Sequence, residues 1–65
     1  TPHMQAALRA MARTSLYRMR AGWSDGATIH RVGTIGALED RELCKSDFHG
    51  VWLTPEGTRA AAGLA

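Results

Sequence analysis

The chain of 65 residues holds one cysteine, Cys44, which excludes an internal disulfide framework and suits a reducing, cytoplasmic setting. No run is long or apolar enough to span a membrane. The amino-terminal stretch lacks the separate apolar core and cleavage site of a signal peptide. There is no internal repeat and no linker-like segment. No acidic residue precedes Asp25, although Arg9, Arg13, Arg18 and Arg20 all lie before it. The net charge is only +2, which permits a nucleic-acid partner without requiring one. That basic first third can sit near phosphates or can simply be a solvated helix face. Paired C-x-x-C or H-x-x-x-H spacing is also missing. Cys44, His30 and His49 are therefore read as a buried structural cysteine and two surface histidines, not as zinc ligands. No orienting partner is placed beside Cys44 for thiol chemistry. A non-enzymatic protein with no cofactor and no metal is expected.

What is present suffices for one small domain. A chain of this size buries only about 60% of the surface it exposes when unfolded, so dimerisation or a larger host is expected. Thr1-Pro2-His3 is read as a remnant left by cloning, with Met4 as the native start and residues 4–65 as the domain. The candidate core is Leu8, Met11, Leu16, Tyr17, Met19, Trp23, Ile29, Val32, Ile35, Leu38, Leu43, Val51, Trp52 and Leu53. Trp23 and Trp52 belong there because large aromatics in so small a domain usually form its core.

Helical spacing predicts a first helix from Met4 to Arg20. Met4, Leu8, Met11, Ser15 and Met19 lie on one stripe, and Arg9, Arg13, Tyr17 and Arg20 on another. Gly22 suits the stop, and Trp23 to Gly26 reads as a turn. Ala27 to His30 fits a short strand or a single helical turn. A second helix is predicted from Val32 to Leu43, with Val32, Ile35, Leu38 and Leu43 inward and Arg31, Thr34, Ala37 and Arg41 outward. Gly33 and Gly36 weaken it by about 1 kcal/mol each relative to alanine, which implies close approach of another element or of a ligand backbone. A hairpin follows, with arms near Cys44 to Ser46 and Val51 to Leu53 around Asp47-Phe48-His49-Gly50. Thr54 suits an N-cap, Pro55 the first helical position, and Glu56 the positive end of the dipole of a last short helix.

Gly33-Thr34-Ile35-Gly36 matches the G-x-x-G with which KH domains clamp RNA. It lacks a basic residue and a flanking three-stranded framework, so the reading is two small residues in a tightly packed helix.

The order of helix, hairpin and capped helix resembles winged helix-turn-helix regulators of the MarR and PadR type, bacterial or phage proteins. In these a recognition helix ends in a motif like L-x-x-R-G-L, and a wing leads to a strand ending in L-T-P-E-G. Leu38-Glu39-Asp40-Arg41-Glu42-Leu43 and Leu53-Thr54-Pro55-Glu56-Gly57 stand in those places. Glu42 occupies the usual glycine position, so the helix end lacks the residue best suited to a left-handed cap. The resemblance implies an α+β fold: a small winged helix made of helix, short turn or strand, recognition helix, β-hairpin wing and C-terminal helix. It also implies a double-stranded DNA partner, a role in transcription regulation and a likeness to dimeric proteins. On this reading His30, Arg31, Thr34 and Ala37 face the major groove, where Arg31 and Thr34 can read base edges and Ala37 can touch a thymine methyl. Lys45 and His49 would meet phosphates from the wing. Arg9, Arg13 and Arg20 would serve backbone contacts or a homodimer surface. Glu39, Asp40, Glu42 and Asp47 bring negative charge close to that face. Use of the same fold to bind a protein, as an adaptor or inhibitor, therefore stands as the alternative.

Overall fold

The computed structural model describes residues 1–64. The elements run α1 (Pro2–Arg13), β1 (Tyr17–Met19), β2 (Gly22–Ser24), β3 (Ile29–His30), α2 (Val32–Asp40), β4 (Cys44–Ser46), β5 (Val51–Leu53) and α3 (Pro55–Ala62). The α+β class is as expected. β1, β2 and β3 form one antiparallel sheet in that order, and β4 and β5 form a separate hairpin.

The first helix is shorter than its periodicity predicts and starts earlier. Thr1 caps it, its Oγ1 accepting from the Met4 amide at 3.3 Å, with Pro2 in the first turn. The residues set aside at the sequence level thus shape the helix start. The helix stops at Arg13, and Thr14 is extended at φ −159°. Leu16 then exchanges two backbone hydrogen bonds with Val51, of 3.0 and 2.9 Å. Beyond it, Tyr17, Arg18 and Met19 pair with Ser24, Trp23 and Gly22. Leu16 to Met19 satisfies both a helical stripe and a strand alternation. The long-range partner selects the strand, a tertiary override of local propensity. Gly22 is needed here: its φ is +153°, and a Cβ would collide with the His30 carbonyl oxygen of β3.

The predicted turn over Trp23 to Gly26 shifts accordingly. Trp23 and Ser24 are strand, and the bend lies at Gly26-Ala27, with Gly26 at φ +96°. Of the two options for Ala27 to His30, the strand is realised at Ile29–His30.

The carboxyl-terminal half follows the sequence closely, except that α2 ends at Asp40 instead of Leu43 because the chain turns through a left-handed Glu42. After Asp40 the chain closes in a Schellman arrangement. The Glu42 amide donates to the Glu39 carbonyl at 2.9 Å, and the Leu43 amide to the Leu38 carbonyl at 3.0 Å. Glu42 takes the left-handed position itself, at φ +61°, so the cap forms without glycine. Such a conformation costs a non-glycine residue about 1 kcal/mol. Thr54 joins this corner to α3. Its hydroxyl donates to the Glu42 carbonyl at 2.6 Å and accepts from the Gly57 amide at 3.1 Å. Its own amide donates to the Leu43 carbonyl at 3.1 Å. Gly57 lies so close that any Cβ would be driven into the Leu43 carbonyl oxygen. The two motifs of the sequence therefore form one clasp between α2, β5 and α3.

The core lies between α1, α2, β5 and α3. Leu16, Ile35, Leu38 and Val51 are its largest fully buried side chains, and each adds about 1.5–3 kcal/mol. Leu8, Met11, Cys44 and the small Ala7, Ala10 and Ala61 complete it, with Trp23, Leu43 and Leu53 packed alongside. Five candidate core residues instead lie outside: Tyr17, Met19, Ile29, Val32 and Trp52 are 40–50% exposed. Tyr17, Met19 and Ile29 follow from corrected elements, whereas Trp52 and Val32 lie in elements placed as expected but face outward. Tyr17, Met19 and Ile29 share the outer face of the first sheet, Trp52 alternates outward from Val51, and Val32 opens α2 on its solvent side.

Candidate nucleic-acid interface

The expected contacts fall in two places: the start of α2, which borders α1 and β3, and the hairpin, whose first arm lies against the end of α2. Arg31 is the N-cap residue, exposed, with no side chain capping the helix. The first helical bond runs from the Ile35 amide to the Arg31 carbonyl at 3.1 Å, so the amides of the first turn point outward. Thr34 and Ala37 are half-buried, more covered than an outward stripe implies. Gly33 and Gly36 carry the opposite surprise, because nothing lies within 4 Å of where their side chains would begin. The expected close neighbour is absent among the described residues, and the two glycines leave a bare strip on α2. The G-x-x-G sequence thus lies within a helix, not in a loop. A three-stranded sheet does precede it, formed by strands that the sequence disguised.

His30 borders the groove at the start of α2 beside Arg31 and Thr34, but it is buried and paired, not offered outward. It lies in β3, 8% exposed, with Nε2 3.2 Å from Asp25 Oδ2. The expectation of a groove-facing, surface histidine is corrected by that pairing. Asp25 organises the turn: its Oδ1 accepts from the Thr28 amide at 2.7 Å and the Ala27 amide at 2.8 Å. These two donors, then His30, hold its carboxyl well below the ordinary range, at about 2. The Arg13 guanidinium lies 3.8 Å from the same carboxylate while remaining mostly exposed. Two expected DNA residues, Arg13 and His30, thus converge on an acid between α1 and the β2–β3 turn. The Ser-Asp-Gly sequence signals the turn, but not its partners.

Arg9 is exposed on α1, and Lys45 and His49 are exposed on the hairpin. Lys45 stands opposite Trp52. Arg18 lies over the Trp23 ring at 5.6 Å, a cation–π contact inside the first sheet. Cys44 donates from Sγ to the Ile35 carbonyl at 3.7 Å, and burial pushes its thiol up to about 11, so it is chemically quiet. Cys44, His30 and His49 occupy three separate places, and among the described residues no cluster of three or more potential ligands could hold a metal ion.

Charge divides along α2. A groove of about 260 Å³ at its start is lined by His3, Thr28, Ile29, Arg31 and Thr34, among others. A larger one of about 530 Å³ at its end is lined by Glu39, Glu42 and Glu56 with Lys45, Ser46 and Thr54. The acids at the end of α2 oppose the helix dipole as well as any approaching phosphate. No helix of the described residues is long and apolar enough to cross a membrane. The chain matches no protein-family model, no curated protein and no solved structure.

Proposed function

We propose that this chain is a small winged-helix protein, without enzymatic activity, that binds double-stranded DNA as a homodimer and regulates transcription. One observation carries the reading. The start of α2 offers exposed Arg31, free first-turn amides and a strip bared by Gly33 and Gly36, and a rigid hairpin follows directly. Helix amides and arginine suit phosphate and base edges, and missing side chains let a backbone approach closely. Arg9 adds exposed positive charge on α1, whereas Lys45 lies among the acids of the groove at the end of α2. The acids confine contact to the first turns of α2 and exclude its end.

A salt titration of duplex binding tests the reading. Affinity falls steeply with salt, and Arg31→Ala lowers the logarithmic slope by about 1. Absence of duplex binding at low salt overturns it. Docking onto a partner protein is the second reading. The acidic groove and the exposed Tyr17, Met19 and Ile29 on the outer sheet face favour it. Partner capture that survives nuclease treatment, without duplex binding, would select it.

A further inference from the structure

Phe48, at the tip of the β4–β5 hairpin, is fully exposed to solvent, the most exposed large apolar side chain of the protein. Its mounting is stiff. The Asp47 amide donates to the Gly50 carbonyl at 2.9 Å, and Asp47 Oδ1 accepts from the His49 amide at 2.7 Å and the Gly50 amide at 3.1 Å. Gly50 abuts the Leu16 carbonyl, where a Cβ would collide, and the Leu16–Val51 bridge fixes the hairpin's base to the first sheet. The one acid at the tip is thus folded back onto backbone donors. The ring stands alone among Ser46, Asp47, His49 and Gly50.

We propose that Phe48 is a wedge that enters a DNA duplex between adjacent base pairs, partly unstacks one step and bends the helix. The proposal rests on the DNA-binding reading above. An isolated ring with polar neighbours lacks the surrounding apolar surface from which the core of a protein interface is built. Between two base pairs it is covered on both faces without help from its neighbours, as other apolar wedges are.

The test uses a duplex with 2-aminopurine at a flexible pyrimidine–purine step and a donor–acceptor dye pair at its ends. The wild-type protein raises the 2-aminopurine fluorescence and shortens the end-to-end distance. Phe48→Ala loses both effects and binds about 5- to 150-fold more weakly, while Phe48→Trp keeps them. Thermal unfolding of Phe48→Ala matches the wild type, because the ring is fully exposed. Equal binding and bending by Phe48→Ala overturns the wedge and leaves the DNA reading standing. Weaker binding by Phe48→Ala, where the wild type leaves 2-aminopurine unchanged, also overturns it, since the ring then rests on the backbone or groove wall. No salt-dependent binding by either protein removes the wedge together with the DNA reading.

Discussion

The hairpins of β1–β2 and β4–β5 are each built from two three-residue strands, yet they are specified in different ways. β4–β5 is marked out locally: Asp47 ties its own turn, Gly50 ends it, and Val51-Trp52-Leu53 is β-prone. β1–β2 is hidden in a run whose apolar residues also fit a helix, and its decisive contact is Leu16 with the distant Val51. The same bridge joins the two hairpins into one structure. Local chemistry can therefore make the β4–β5 hairpin, whereas the first sheet is tied into the fold by the bridge from Leu16 to that hairpin.

Removing that bridge's side-chain support is the most disruptive test. Leu16→Ala empties a fully buried site and should cost about 4 kcal/mol in urea unfolding. The loss should extend to the first sheet. A variant that lost the hairpin's amide protection but kept that of β1 and β2 would overturn that tie. Next is Gly57→Ala, which forces a methyl group against the Leu43 carbonyl and should destabilise by about 3 kcal/mol. The same substitution on the bare strip should have the opposite sign. Gly36→Ala meets nothing and should stabilise by about 1 kcal/mol. If the strip faces DNA, that variant also binds duplex more weakly. A stability gain with unchanged affinity would remove the strip from the interface.

The smallest expected effect concerns Asp25 and appears only in acid. Its folded value of about 2 lies below the ordinary 3.8, so its ion contributes stability above pH 3.8 that is lost as pH falls towards 2. Asp25→Asn should flatten that part of the curve of stability against pH and leave the neutral region's slope unchanged. An identical acid limb in the variant would show that the turn's charge is not linked to folding.

Legibility divides along the same line as the two hairpins. The hairpin arms, the Thr54 cap and the inward Ile35 and Leu38 are readable because each depends on neighbours a few residues away. The motif pair of the resemblance has its physical cause in the clasp, where Thr54 and Gly57 must fit the carbonyls of Glu42 and Leu43. The candidate interface was less readable. Arg31, Arg9, Lys45 and His49 are exposed as expected, but His30 is withdrawn by Asp25, and Phe48 stood out only by its exposure. Two glycines in a helix suggest a close neighbour, and nothing in the sequence says that the described chain does not supply one.

Residue order alone thus determined the carboxyl-terminal half: a helix that must stop near Leu43, a hairpin, and a helix opened by Thr54 and Pro55. Turn chemistry, alternation and capping act over a few residues, and all agree there. Tertiary structure alone decided where α1 ends, that Leu16 to Met19 is a strand leading into a sheet, and which side chains remain in water. Those outcomes rest on backbone pairing between segments far apart in the chain. Helical spacing and strand spacing were equally consistent with the same residues until Val51 stood beside Leu16.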